Sequence, residues 1–199
     1  MTVLVLDVDG VVVRGHPEGG RWDRNLTRDL GIAAETLQAR FFRPYWRAIA
    51  VGEADMRQVL DGMWHELACT ASPSTFVDYW FASDSQLDAD VLAEVDQWRA
   101  RGNQAFLATV QEHHRAKYLW ETLGLQRHFD AMHYSAELGA AKPDVLFYEG
   151  IQAKLPVRMP GEVLFLDDSL RNVEAASAFG WRARHFTCAA DLRDALADA

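Results

Sequence analysis

The first ten residues constrain the fold of this chain more than any other stretch. Residues 3–6 read Val-Leu-Val-Leu, an unbroken apolar run that is typical of a strand buried on both faces of a parallel sheet. Asp7, Asp9 and Gly10 follow this run. Side chains two residues apart on a strand point to the same face, so we expect the two carboxylates to lie close together. They repel each other unless a cation lies between them or one of them holds a proton.

Two interpretations of this segment are open. An Asp-rich turn with Gly10 at positive φ explains the glycine and one of the acids. It does not explain two acids directly after a core strand. Open α/β sheets bind their ligands at the carboxyl ends of their strands. We therefore favour a functional site at Asp7 and Asp9, which needs a divalent metal, further acids and a cation for an anionic substrate.

Composition narrows the class of protein. The 199 residues are 49% hydrophobic and 25% charged, which is typical of a globular domain. The net charge of −9 argues against nucleic acid, because no basic patch is present to neutralise phosphates. No apolar run approaches a membrane span, strand 1 starts too early for a signal peptide, and two cysteines give no disulfide framework. We expect a cytoplasmic protein without a membrane partner, as a monomer or weak dimer.

The spacing of apolar residues divides the chain into two kinds of region. From Leu87 onward, helical patterns alternate with apolar strands, which predicts a parallel sheet covered by helices on both faces. Residues 17–85 show helical spacing only. We therefore predict an α/β protein, with a Rossmann-like core of residues 1–16 and 86–199 and an inserted all-helical cap of residues 17–85. The predicted later strands are 104–109, 131–134, 163–167 and 181–186.

Thr109 ends the second predicted strand, just before a predicted helix at 111–123. Its hydroxyl and the backbone N–H of Val110 could hold a phosphate oxygen at the N-terminus of that helix. An ordinary threonine N-cap is the other interpretation, and for this residue alone it is the favoured one.

Lys142 and the pair Asp167-Asp168 complete the candidate residues. Lys142 precedes Pro143, at which we predict the start of a helix. Such a lysine is usually solvated, but beside carboxylates it would position a nucleophile and neutralise a phosphoryl group. Asp167 and Asp168 follow the apolar run of the fourth strand, where surface decoration is a poor explanation.

These residues resemble the haloacid dehalogenase-like hydrolases, which are mostly phosphatases with a Rossmann-like core. The resemblance covers nearly the whole chain, and the position of the helical block is similar to the small helical cap of that family. Residues 165–176 also resemble the fourth motif of the family. The four motifs occur in the family's order, as Asp7-x-Asp9-Gly10, Thr109, Lys142-Pro143 and Asp167-Asp168.

The resemblance implies a role for each catalytic residue. Asp7 would be the nucleophile that takes the phosphoryl group as an acyl phosphate. Asp9 would protonate the leaving oxygen and then activate water. Thr109, the backbone N–H of Val110, and Lys142 would hold the phosphoryl oxygens. Related sequences often have asparagine where this chain has Val110, so one side-chain contact to phosphate is lost.

The resemblance also implies a magnesium site. Mg²⁺ would be held by the side chain of Asp7, the backbone carbonyl of Asp9 and the side chain of Asp168. Asp167 would act on the same metal directly or through water. Strands 1 and 4 would be neighbours in such a core, with the crevice between them at the topological switch point.

Other residues offer weaker signals. His113 and His114 are adjacent, so on a helix they diverge by about 100° and cannot both face one metal. We interpret them as ordinary polar residues. Within residues 17–85, the group with the best chance of reaching a substrate is Arg43, Tyr45, Trp46 and Arg47, although packing explains each of them at least as well.

Several functions remain open. The favoured one is a magnesium-dependent phosphatase acting on a small phosphorylated metabolite. A 2-haloacid dehalogenase needs Asp7 but neither a metal nor a leaving-group acid, so Asp9 and Asp167-Asp168 argue against it. A phosphomutase would use the same residues and differ only in excluding water. A non-enzymatic phosphate-binding module is expected to lack a motif residue, and a receiver domain would lack the helical block.

Overall fold

A five-stranded parallel sheet forms the centre of the computed structural model, which describes residues 2–67 and 69–199. The strand order is β3-β2-β1-β4-β5, so β1 lies in the middle and pairs with β2 and β4. This confirms the predicted parallel sheet and the predicted neighbourhood of strands 1 and 4. The strands are β1 (Val3–Leu6), β2 (Ala105–Thr109), β3 (Ala131–Tyr134), β4 (Val163–Asp167) and β5 (Arg182–His185).

Helices fill the connections between the strands. The α-helices are α1 (Leu26–Leu30), α2 (Ala34–Leu37), α3 (Arg43–Ala50), α4 (Met56–Met63), α5 (Pro73–Ser83), α6 (Ala89–Ala100), α7 (His113–Lys117), α8 (Ser135–Leu138), α9 (Val145–Gln152), α10 (Leu170–Phe179) and α11 (Ala189–Ala197). One π-helical turn (Gln38–Phe42) joins α2 to α3, and another (Tyr118–Thr122) extends α7. Short 3-10 turns are Trp22–Asn25, Trp64–Leu67, Leu125–Arg127 and Pro160–Glu162.

Alternation along β1 builds the two sides of the core. Leu4 and Leu6 belong to one hydrophobic cluster, which contains residues of α6 and α11. Val3 and Val5 belong to the other, which contains residues of α9 and α10. Because every residue of β1 is buried, the strand lacks a polar face, as its unbroken apolar run predicts.

A helical insert follows β1. We use this name for residues 17–85, in which the described residues form helices and turns and no strand. The insert has a hydrophobic cluster of its own, in which Trp80 contacts the rings of Trp22, Phe42 and Trp46. Ser72 is the N-cap of α5, where its hydroxyl accepts a hydrogen bond from the backbone N–H of Thr75.

The two chain segments that connect the insert to the sheet run side by side. The Arg14 N–H donates to the Gln86 carbonyl (2.7 Å), and the Asp88 N–H donates to the Val12 carbonyl (2.9 Å). The insert returns over the carboxyl ends of the strands, where His114 of α7 pairs with Asp55 at 3.1 Å. The insert is therefore held next to the edge of the sheet where ligands bind in open α/β folds.

Two helix starts differ from the sequence prediction. Helix α7 begins at His113 and not at 111, because the Glu112 carboxylate caps it by accepting from the backbone N–H groups of His114 and Arg115. Thr109 is therefore not an N-cap, and neither it nor Val110 lies at a helix N-terminus. Helix α9 begins after Pro143, with Asp144 as its N-cap.

No described helix combines the length and the apolar character that crossing a membrane requires.

Candidate active site

The carboxyl ends of β1, β2 and β4 open into one cavity of about 960 Å³, which we call the strand-end pocket. Most of the predicted site residues line this pocket, while Asp167 is fully buried next to it. The pocket is the point at which the chain order of the sheet reverses, since β2 and β4 flank β1. The predicted residues that line it are Asp7, Asp9, Thr109, Val110, Lys142 and Asp168.

The turn after β1 orients the two acids differently. The strand ends at Leu6, so the assumption of regular strand geometry through Asp9 is wrong. Asp7 is buried, and its N–H still donates to the Leu166 carbonyl of β4 at 3.0 Å. Asp9 lies beyond it, forms an isolated bridge with Val13 and is exposed. Both side chains nevertheless line the same pocket.

Lys142 joins two buried carboxylates. Its Nζ lies 2.8 Å from Asp7 Oδ1 and 2.6 Å from Asp167 Oδ2, and its side chain is only 2% exposed. Asp167 also accepts hydrogen bonds from the backbone N–H of Ser169 and from Asn172 Nδ2. The network fixes Lys142 directly beside Asp7, so the interpretation of this lysine as a solvated surface residue is wrong.

Burial and charge compete at this network. Burial raises the pKa of Asp7 to about 7; Lys142 opposes this rise, and the negative charge of Asp167 adds to it. Burial disfavours the charged form of Lys142, but Asp7 and Asp167 outweigh burial and hold its pKa above the usual value. The pocket therefore carries more acid than one lysine neutralises, and an additional cation would favour the ionised form of Asp7.

Asp168 supplies the third acid of a cluster that could bind a metal ion. Carboxylate oxygens of Asp7, Asp167 and Asp168 lie within 4.8 Å of one another. Among the described residues, no Lys, Arg or His side chain forms an ion pair with Asp168. Gly10 makes room for Asp168, because a Cβ at Gly10 would lie 2.2 Å from Asp168 Oδ2, and its φ of 82° also favours glycine. A set of carboxylate oxygens is what a hard divalent cation prefers.

Thr109 offers an unused hydroxyl to the pocket. The residue is 1% exposed at the end of β2, and its Oγ1 has no hydrogen-bond partner among the described residues. Buried hydroxyl groups are normally hydrogen-bonded, because an unpaired one loses its interaction with water and gains nothing in return. The buried hydroxyl is therefore a candidate contact for a ligand oxygen in the pocket.

Gln111 is a site residue that the sequence analysis missed. Its Nε2 donates a hydrogen bond of 2.6 Å to Asp9 Oδ2. Removal of water by the surrounding protein atoms raises the pKa of Asp9. The positive charge of Arg115 and the hydrogen bond from Gln111 lower it. Because the Asp9 side chain remains exposed to the pocket, solvent weakens all of these effects. In the sequence, Gln111 opens a polar run before a helix and resembles surface residues, so only its proximity to Thr109 could have indicated a role.

The insert contributes residues to the pocket, but not those predicted. Arg21, Trp22 and Asp84 line the strand-end pocket, whereas the predicted group Arg43, Tyr45, Trp46 and Arg47 does not. Trp46 packs against Phe42 and Trp80 inside the insert. A second cavity of about 480 Å³ is lined by Trp46, Arg47 and Val110, among others. Helical spacing therefore identified only part of the buried face of α3, since Ile49 is buried and Tyr45 is exposed, and it did not identify the surface that faces the acids.

The two histidines at the start of α7 have different partners. His114 pairs with Asp55, and His113 Nδ1 lies 3.3 Å from the Tyr134 hydroxyl. The two rings thus contact different residues, and among the described residues the candidate metal site is the cluster of Asp7, Asp167 and Asp168.

Comparison with known proteins identifies the family. A family model described as haloacid dehalogenase-like hydrolase matches residues 1–180. The chain belongs to this family. The predicted resemblance is thereby confirmed, and hydrolase chemistry is the activity of the family. A comparison with curated proteins finds no match.

Solved structures of haloacid dehalogenase-like proteins share the fold. The enzyme BT-2542 of Bacteroides thetaiotaomicron, in complex with magnesium, is 18% identical, with a TM-score of 0.76 over 94% of this chain and 93% of that chain. The same enzyme was solved with magnesium and inorganic phosphate. A HAD-like family hydrolase from Porphyromonas gingivalis is 18% identical, with a TM-score of 0.73 over 93% and 90%. A dehalogenase is 18% identical, with a TM-score of 0.66 over 93% and 84%.

Proposed function

We propose that this protein is a magnesium-dependent phosphatase that hydrolyses a small phosphomonoester through an aspartyl phosphate on Asp7. One observation carries the proposal: a second acid, Asp9, lines the same pocket as the buried pair Asp7 and Lys142. Displacement of a halide by Asp7, as in a 2-haloacid dehalogenase, needs no such acid. Cleavage of a phosphate ester benefits from one, because the leaving oxygen must be protonated.

Magnesium fits the acids of the pocket, and BT-2542, which shares the fold, was solved in complex with magnesium. Asp7, Asp168 and the carbonyl of Asp9 would hold the ion. Asp167 would act through water, because Lys142, Ser169 and Asn172 already contact its two oxygens. Bound there, Mg²⁺ supplies positive charge that offsets the acids and the phosphoryl group.

The chain's own residues divide the reaction between them. Lys142 and the hydroxyl of Thr109 bind phosphoryl oxygens, and Lys142 holds Asp7 through Oδ1. An Asp7 oxygen forms a bond to phosphorus while the bond from phosphorus to the leaving oxygen breaks, and that oxygen takes the proton of Asp9. Asp9, now a carboxylate, takes a proton from a water molecule whose oxygen attacks the phosphorus. The bond between Asp7 and phosphorus breaks, which releases phosphate and restores the Asp7 carboxylate.

The helical insert would act as the cap of this enzyme, with residues 1–16 and 86–199 as the catalytic core. Its return over the strand ends and its contribution of Trp22 and Asp84 to the pocket support this role. The cap would select the organic part of a small phosphorylated metabolite in the cytoplasm. Phosphate bound to a neighbour in the fold comparison agrees with a phosphorylated substrate.

Two substitutions test the proposal. Asp7→Asn removes the nucleophile, so neither phosphoenzyme nor turnover should be detected with an aryl phosphate and Mg²⁺. Asp9→Asn keeps the nucleophile and loses proton transfer, which contributes about 10²–10⁴-fold. Because an aryl leaving group needs little protonation, Asp9→Asn should give a stoichiometric burst of phenol followed by slow turnover.

The control is Asp194→Asn, which makes the same chemical change on the exposed face of α11 and should retain wild-type turnover. Mass spectrometry of the trapped adduct should locate the phosphoryl group on Asp7. An adduct on another residue, or equal activity of the Asp7 and Asp9 variants, would contradict the proposal. Halide release from a 2-haloacid without metal would favour a dehalogenase instead, and phosphoryl transfer to a sugar phosphate in place of water would favour a mutase.

A further inference from the structure

A buried amide group contacts the exposed acid of the pocket. Gln111 is 3% exposed, and its Nε2 lies 2.6 Å from Asp9 Oδ2. Asp9 lies beyond the end of β1, in an isolated bridge with Val13, and is itself exposed. A side chain in such a position samples several rotamers unless a partner holds it. Among the described residues, Gln111 is the hydrogen-bond partner of the Asp9 carboxylate, and this bond connects the segment after β1 to the segment after β2.

Gln111 is itself held on both sides in the chain. Its backbone carbonyl accepts hydrogen bonds of 3.2 Å from the Ala136 N–H and from the Ser135 hydroxyl. The next residue, Glu112, caps α7 through the backbone N–H groups of His114 and Arg115. These contacts fix the backbone on which the Gln111 side chain is mounted. The amide therefore approaches Asp9 from a short connection between β2 and α7 that is buried and held by hydrogen bonds.

The chemistry of the contact distinguishes the two oxygens of Asp9. An amide N–H only donates, so the Oδ2 that receives it is the acceptor oxygen of the carboxyl group. A proton on the protonated acid is then held on Oδ1, away from Gln111. The amide carries no net charge, so it orients Asp9 without forming an ion pair that would have to break during proton transfer.

We propose that Gln111 is a positioning residue that fixes Oδ2 of Asp9 and presents Oδ1 to the leaving oxygen of the substrate. This inference rests on the proposed function, because it assigns Asp9 the transfer of a proton. It adds a residue outside the four sequence motifs and a defined oxygen atom. In the first step, Oδ1 gives its proton to the leaving oxygen as the bond from that oxygen to phosphorus breaks.

The inference predicts a dependence on the leaving group. An alkyl leaving group is a strong base and needs the proton of Asp9 as the bond breaks, whereas a nitrophenyl leaving group does not. Loss of positioning should therefore lower kcat/KM for alkyl phosphates by about tenfold or more and for p-nitrophenyl phosphate by less than about threefold. The ratio kcat/KM is the appropriate measure, because it reports the first irreversible step and not the later hydrolysis of the phosphoenzyme.

The test is Gln111→Met, which keeps the length and apolar burial of the side chain and removes the amide donor. The matched control is Gln152→Met on α9. The Gln152 amide donates a hydrogen bond to the Val157 carbonyl and accepts one from the Trp181 indole, and it lies outside the strand-end pocket. Both variants are assayed with Mg²⁺ across a series of aryl and alkyl phosphates, after circular dichroism and thermal melting have established that they fold. If Gln111→Met does not fold, Gln111→Leu replaces it, because the leucine side chain is also apolar and cannot donate.

A selective loss for alkyl phosphates in the Gln111 variant, with none in the control, supports the inference. Equal losses for every leaving group, or no loss, overturn it, because a merely structural residue would not distinguish substrates by their leaving groups. Failure of the proposed function gives a different result: the wild-type protein would then hydrolyse no phosphomonoester, or Asp7→Asn would remain active.

Discussion

The unpaired hydroxyl of Thr109 predicts that one substitution will raise stability and lower activity. Thr109→Val removes the Oγ1 atom and changes the shape of the side chain very little. In the protein without substrate, this atom is buried and has no hydrogen-bond partner among the described residues. With substrate, it would donate to a phosphoryl oxygen. The Thr109 hydroxyl therefore lowers the stability of the free protein and strengthens the binding of the substrate.

The two magnitudes follow from this geometry. An unpaired buried polar group costs about 1–3 kcal/mol, so Thr109→Val should raise the free energy of unfolding by about 1 kcal/mol. For a chain of this length, that corresponds to an increase of about 2–4 °C in Tm. A hydrogen bond to a charged oxygen contributes about 1.5–3 kcal/mol, so kcat/KM should fall by about tenfold to 150-fold.

Thermal melting without substrate and steady-state kinetics with an aryl phosphate measure the two effects. The control is Thr27→Val in α1, because the Thr27 hydroxyl donates to the Ile32 carbonyl at 3.1 Å and lies outside the strand-end pocket. That variant should lower Tm and leave kcat/KM unchanged. A lower Tm for Thr109→Val would mean that its hydroxyl has a partner in the free protein. Unchanged kinetics would refute its contact with the substrate.

Three further substitutions give distinct results. Lys142→Met leaves Asp7 and Asp167 buried without their cation, so kcat should fall by more than about 10²-fold and urea unfolding should show a loss of about 3–5 kcal/mol; near-normal turnover would contradict the assignment. Asp168→Asn should raise the Mg²⁺ concentration needed for half-maximal activity by about tenfold or more, and an unchanged titration would exclude Asp168 as a ligand. Burial raises the pKa of Asp84 to about 6, so the folded state disfavours its carboxylate and stability is lost as pH rises from about 4 to 6. Asp84→Asn should therefore raise the free energy of unfolding by up to about 3 kcal/mol at about pH 7.5 and hardly change it at about pH 4; the same gain at both pH values would contradict this.

The sequence determined the sheet and the location of the reactive residues. The apolar run of β1 and the alternation of helices and strands depend on neighbouring residues, so they can be read without the fold. In a parallel sheet the carboxyl ends of the strands meet at one edge, which brings Asp7, Thr109 and Asp168 into one pocket whatever the details of packing. The family follows from the same motifs.

The tertiary structure decided which side chains meet within the pocket. Lys142 lies between Asp7 and Asp167 because of the path of the loop before α9, which no periodicity describes. Gln111 reaches Asp9 from a position 102 residues away in the chain. The start of α7 also differs from the predicted residue 111, because Glu112 caps the helix and α7 therefore begins at His113.

The insert shows the same limit. Helical spacing predicts a buried face of Leu37, Phe41, Tyr45 and Ile49, of which Leu37, Phe41 and Ile49 are buried and Tyr45 is exposed. It does not predict which residues face the acids, and Trp22 lines the strand-end pocket while Tyr45 does not. The spacing of apolar residues in a segment indicates which of its side chains face the core and which face the surface. Contacts between distant segments depend on how whole helices and loops pack, and that packing is a property of all the residues together.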